Sequence, residues 1–344
     1  MGNLLSYSGI VTKIRAMQAN LISSEDYQTI ANLESTAEFF AFLKNHPGYR
    51  EIFYNYDEHI LHRGQAEKVF INSLYQDFYK IYEFADLEQR NDLNFIFFRY
   101  EVDVLKSCLQ MIYTKVKDYN SDILASFFNR RSGIDIKTLA SSQSMEEYIN
   151  YLRDTEYYSL LNSISNAPNA TPFDYQMQLD IYYFKKTWQL KDKLLNGDNR
   201  LAFTHRLGTE IDLLNIMWLY RSKKYFNVRS ADSYAYVIPI TYKLTKEKLM
   251  LLMESVSMEE FIAVIKTTYY EHLIPSLADG SIEIACQKML AKVYKDNTSM
   301  YPASMSPVNY YLYLKQMELR RLITALECIR YKLGPQDTLK YVLA

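Results

Sequence analysis

Little in this sequence can interrupt a helix. Glycine occurs 9 times and proline 8 times in 344 residues, which favours long unbroken elements. Cysteine is scarcer still, with residues only at positions 108, 286 and 328. Odd in number and far apart, they suit a reducing compartment and build neither a disulfide framework nor a zinc site. Net charge is almost absent, at −1, so nothing drives the chain toward nucleic acid or anionic lipid. No run of 18 apolar residues occurs, so no span of a membrane is expected. The opening residues, MGNLLSYSGIVTKIRAM, hold no long apolar core and no cleavage site, and no signal peptide is expected. Gly2 and Ser6 match the bare pattern for myristoylation, which is too short to carry weight.

Catalytic signatures are missing as well. There is no P-loop, no G-x-G-x-x-G and no G-x-S-x-G elbow. Arg130-Arg131 and Arg320-Arg321 are isolated doublets, too short for a nucleic-acid stripe. His59 and His62 lie near Asp57 and Glu58, but no Cys or H-E-x-x-H completes a metal set. They are expected to be a surface pair. Neither catalysis nor a cofactor is expected.

What the chain has is apolar and aromatic matter. Hydrophobic residues make up 49% of it, with 32 Tyr and 17 Phe, enough for a large core whose phenols sit at edges and interfaces. The stretch Glu210 to Lys224 concentrates this pattern: Ile211 through Tyr220 holds eight apolar residues in ten positions. At helical periodicity its apolar side chains point almost all the way round, so it is expected to be covered on most sides.

That stretch belongs to a repeat. Three segments open with S-x-x-E, at Ser35 with Glu38, Ser144 with Glu147, and Ser257 with Glu260. Each is read as a capping box, in which Ser accepts a backbone N–H and Glu reaches back to the N–H of Ser. Each continues with an aromatic, apolar positions and a cation. Thr155-Glu-Tyr157 and Thr268-Tyr-Tyr270 follow at one common offset. A second marker closes each unit. Glu101 follows Glu38 by 63 residues, Glu210 follows Glu147 by 63, and Glu318 follows Glu260 by 58. The expected units are therefore 1–118, 119–229 and 230–344, all-α, with linkers at Asp118–Asp122 and Asn227–Ile240 and a break at Pro302–Pro307.

With each marker Glu at 0°, a polar stripe falls between about 140° and 240° on its helix. It holds Asp103, Lys106, Ser107 and Gln110 in the first unit, Asp212, Asn215 and Lys223 in the second, and Arg320, Thr324 and Glu327 in the third. Such stripes face water, a cavity or a partner; if the units pack around an axis, they line one shared hollow. The recurring Glu101, Glu210 and Glu318 are read as structural groups, bonded to a helix end or to a cation such as Arg206 or Lys315.

These residues resemble a family. Tyr7, Arg15, Met17 and Leu21, the S-x-x-E helices, the Thr-x-Tyr elements, Glu210-Ile-Asp212-Leu-Leu-Asn215 through Arg221, and Tyr313-Leu-Lys315 with Glu318 and Arg320 occur in this order along the whole chain. The pattern is similar to the C subunit of bacterial and archaeal V/A-type ATPases, known in eukaryotes as the d subunit. The first unit departs from it, with Lys106 where the second unit shows Asn and with His46 and Gly48 in place of Thr-x-Tyr. The resemblance implies three homologous helical units around a pseudo-threefold axis, forming a funnel. It implies a narrow face on the membrane rotor ring, a hollow for the central stalk, and a peripheral place on the cytoplasmic side. It also implies no catalysis, with torque passed between ATP turnover and H+ or Na+ transport. Asp103, Lys106, Asp212, Asn215, Lys223, Arg320 and Glu327 are then the candidates for meeting the stalk. A helical-repeat scaffold for a partner helix or peptide is the alternative, and an unrecognised enzyme a third.

Overall fold

The computed structural model describes residues 2–57, 63–115, 122–167, 170–226 and 229–343. His59 and His62 lie outside the described residues, as do positions 118–121 of the first linker. Among the described residues there is no strand, and the chain is all-α. It divides into two compact units: Met1–Asp86 with Thr298–Ala344, and Leu87–Asn297.

The first unit carries α1 (Gly2–Gln18), α2 (Ser24–Ala31), α3 (Thr36–Asn45), α4 (Arg50–Phe53) and α5 (Arg63–Phe84). From the far end of the chain come α18 (Ser306–Arg330) and α19 (Pro335–Leu343). The numbers between belong to the second unit. Helix α18 starts with Pro307 in its first turn, where the missing N–H costs nothing. It packs against α1, α2, α3, α5 and α19. The core beside it is aromatic. Phe40, Tyr49, Phe53 and Phe70 are buried, with Tyr49 and Phe70 edge to face at 6.0 Å and Phe53 and Phe70 at 5.6 Å. Each such ring contributes about 1.5–3 kcal/mol by burial, which accounts for the Phe and Tyr richness of α3–α5.

The second unit opens with α6 (Leu87–Thr114), then α7 (Asp122–Ser132), α8 (Ile136–Ser141), α9 (Met145–Tyr151), α10 (Tyr158–Ser165) and α11 (Pro172–Leu194). It continues with α12 (Gly197–Phe226), α13 (Ser230–Ser233), α14 (Lys246–Glu254), α15 (Met258–Ile265), α16 (Ile274–Asp279) and α17 (Ile282–Met300). Thr171 and Asp174 start α11 with a reciprocal capping box, and Pro172 sits in its first turn. Helix α6 packs on α8, α9 and α11, while α12 packs on α11, α14 and α15. Leu213, Ile216, Leu219 and Tyr220 of α12 are buried in one cluster with Leu252, Phe261, Ile265 and Tyr270. The covered helix expected at 210–224 is therefore present, and its cover comes from the segments that follow it.

The compact units cut across the stretches 1–118, 119–229 and 230–344. The seams fall at Asp86/Leu87 and Asn297/Thr298, next to corners between long helices. The second expected linker is mostly structured: α13 and a 3₁₀ turn at Tyr234–Tyr236 lead into a non-helical segment.

Candidate functional site: tyrosine–carboxylate pairs and polar helix faces

All three S-x-x-E segments cap helices. Ser35, Ser144 and Ser257 accept the backbone N–H of Glu38, Glu147 and Glu260 at 3.2 Å. The return bond differs from the expected one. Each Glu accepts the N–H of the residue before the cap: Glu34 at 2.9 Å, Gln143 at 2.7 Å and Val256 at 2.8 Å. The shorter Asp26 and Asp174 reach only the cap residues Ser23 and Thr171. One extra methylene moves the return bond one residue back.

The Thr-x-Tyr elements end these helices. Thr155 and Thr268 donate to Leu152 O and Ile265 O, and accept the N–H of Tyr157 and Tyr270. This turn aims each tyrosine back at a long helix. In the first unit His46 does the same work: its Nδ1 accepts the Gly48 N–H at 3.2 Å. Gly48 is required there, because a Cβ would lie 2.2 Å from Asn20 O.

Each tyrosine donates to a carboxylate, buried at Glu318 and Asp212 and half-buried at Glu101. Tyr157 donates to Glu101. Tyr49 donates to Glu318 at 2.5 Å, and Glu318 also accepts the Ile22 N–H at 2.5 Å. Buried Lys315 completes this group, 3.0 Å from Glu318 and 2.8 Å from the Tyr49 hydroxyl. Tyr270 donates to Asp212 at 2.9 Å. Burial first, then the facing carboxylate, raises the pKa of all three tyrosines, so they remain protonated donors. Burial raises the Glu101 pKa against the Tyr157 bond, and raises that of Asp212 against its several donors.

Glu210 is the exception to the expected equivalence. It lies 3.6 Å from Arg206 on its own helix and receives no tyrosine. Asp212, two residues on, takes the tyrosine that Glu101 and Glu318 receive in their settings. Its short side chain also suits a cradle of backbone N–H groups, from Tyr242 at 3.3 Å, Lys243 at 2.7 Å and Leu244 at 2.8 Å. No S-x-x-E offset encodes that difference.

The polar stripes mostly meet the chain itself. Asp212 and Asn215 are fully buried. Asn215 donates to Ile238 O at 3.0 Å and accepts its N–H at 2.9 Å. Residues 238–244 thus form a strap over α12, and Gly208 leaves room for it: a Cβ there would stand 2.5 Å from the Tyr242 ring. Lys106 pairs with Asp180 at 2.8 Å. Lys223 donates to Met253 O and Ser255 O at 2.9 and 2.6 Å, closing the end of α14. Glu327 pairs with Arg330 at 2.8 Å and Arg63 at 3.3 Å. Asp103 is half-buried, 3.8 Å from Arg99, and Arg320 is exposed. The expectation that Asp212 and Asn215 face a hollow is corrected: a helix's polar side can be satisfied by a non-helical stretch of its own chain, which neither stripe nor periodicity reveals. The only trace of the partner tyrosines in the sequence is the shared Thr-x-Tyr offset.

Among the described residues no group of three or more His, Cys, Asp or Glu could hold a metal ion, and no helix is long and apolar enough to cross a membrane. The fold is all-helical, with carboxylates that accept from the chain's own tyrosines. The chain matches the model of the ATP synthase (C/AC39) subunit over residues 10–341, and it belongs to that family. It is 25% identical to the C subunit of the A-type ATP synthase of Methanosarcina acetivorans over 92% of this chain and 87% of that one. It is 22% identical to the corresponding C subunit of Archaeoglobus fulgidus over 93% and 91%. The protein is thus a non-catalytic subunit of an A/V-type ATPase.

Proposed function

We propose that this chain is the socket that joins the central stalk of an A/V-type rotary ATPase to its membrane rotor ring. In this reading it lies on the cytoplasmic side, takes no cofactor, and couples ATP turnover to H+ or Na+ transport. The carrying observation is the family match over residues 10–341. The tyrosine–carboxylate pairs support it, because a part that passes torque must hold its helices in fixed register, and buried charge-assisted bonds do this. Of the seven candidate stalk contacts, Arg320 is exposed and Asp103 half-buried beside Arg99; Lys106, Lys223 and Glu327 also have ties within the chain, and Asp212 and Asn215 are buried under the strap. Single exposed charges contribute about 0.2–1 kcal/mol, so one reversal is nearly silent. Asp103→Lys with Arg320→Glu weakens capture of the stalk and lowers ion pumping per ATP hydrolysed in the reconstituted complex. Full coupling by the double variant removes these two residues from the stalk contact. A complex that couples fully without the chain removes the socket.

A further inference from the structure

The first compact unit is made from both ends of the chain, and one helix from the far end supplies its centre. In the second unit the long helix precedes the short helices that dock on it: α6 comes before α8 and α9, and α12 before α14 and α15. In the first unit the order is reversed. Helices α2, α3 and α5 dock on α18, which follows them by more than two hundred residues. Bonds that tie them meet on α18, buried at Glu318 and Lys315 and part-buried at Tyr311. Glu318 accepts from Ile22 and Tyr49. Lys315, 2% exposed, reaches Tyr49 as well as Glu318. The Tyr311 hydroxyl donates to Asp77 of α5 at 2.7 Å. Without α18, Tyr49 and the Ile22 N–H lose their acceptor inside an aromatic core. Without α2–α4, Glu318 and Lys315 lose two of the groups that satisfy them. Neither end keeps its polar groups satisfied alone.

We infer that the two ends of the chain open and close as one cooperative piece, separately from residues 87–297, with Glu318 as its lock. A partner that grips either end then stabilises both.

Hydrogen–deuterium exchange on the full chain tests this. Glu318→Ala is expected to speed exchange roughly ten- to hundredfold in α1–α4 and in α18–α19 together, with 87–297 unchanged. The double variant Glu318→Leu, Lys315→Met leaves no unpaired buried charge and recovers part of the protection at both ends. Opening of one end alone, or equal opening of 87–297, overturns the proposal. Trp188 and Trp218, the two tryptophans of the chain, both lie in the second unit. If Glu318→Ala leaves the first unit unfolded, tryptophan fluorescence still reports a cooperative denaturant transition at the parent midpoint, while helical circular dichroism starts lower. Loss of the tryptophan transition overturns the inference equally.

Discussion

Burial raises the Glu101 carboxyl above its ordinary pKa of 4.5, and the hydroxyl of Tyr157 opposes the rise. A carboxyl whose folded pKa is raised binds more protons folded than unfolded. Its stabilising share is therefore complete below about pH 4.5 and is lost as pH rises through the folded value. Glu101→Gln cannot ionise, so its melting temperature should gain on the parent's as pH goes from about 4.5 toward neutrality. A constant difference across that range would show that Glu101 titrates normally. The tyrosines differ in how much they carry. Tyr157→Phe leaves Glu101 without that donor and should cost about 1.5–3 kcal/mol, the range for bonds to charged groups. Tyr270→Phe should cost nearer 1 kcal/mol, because Asp212 keeps three backbone N–H donors. Urea unfolding measures both, and a larger loss for Tyr270→Phe contradicts this ordering.

Short helices are the elements most exposed to a single change. Helix α9 has seven residues and α15 eight, lengths that do not persist in water without caps and packing. Their caps, Ser144 and Ser257, each satisfy an N–H that has no partner within the helix. Ser144→Ala or Ser257→Ala should lower stability by about 0.5–2 kcal/mol, read as a drop in the urea midpoint at unchanged slope; an unmoved midpoint in both would remove the caps from the stability of these helices. The caps are legible in the sequence because S-x-x-E states its own geometry within four residues. The Glu return bond falls one residue earlier than the motif implies, because side-chain reach depends on local backbone that the motif does not specify. The Thr-x-Tyr turns are visible as a shared offset, but their targets lie 56 and 58 residues back along the chain.

For the molecule as a whole, the repeat of the sequence and the compact units of the structure are out of phase. The sequence marks begin each unit at a short capped helix and end it at a long one. Packing joins each long helix to the short helices that follow it, and α18, which no helix pair follows, takes those at the start of the chain. This phase shift explains why 298–344 belongs with 1–86. A long helix can precede or follow the helices that dock on it because contacts, not chain order, satisfy the buried groups.

Five features could be read from the residues before any fold was known: the all-helical class, the three Ser caps, the covered helix at 210–224, the lack of catalytic motifs and the family. Each rests on local periodicity, local spacing or scarcity of helix breakers, which are properties of neighbouring residues. Which carboxylate receives each tyrosine was settled by packing instead. Glu210 and Asp212 are two residues apart and differ by about 200° around α12. The choice fell to Asp212 because the strap 238–244 brings its backbone N–H groups there while Arg206 takes Glu210. The strap likewise turned a polar face into a buried one. Long-range closure of this kind depends on which segments desolvate one another, and no spacing within the chain encodes it.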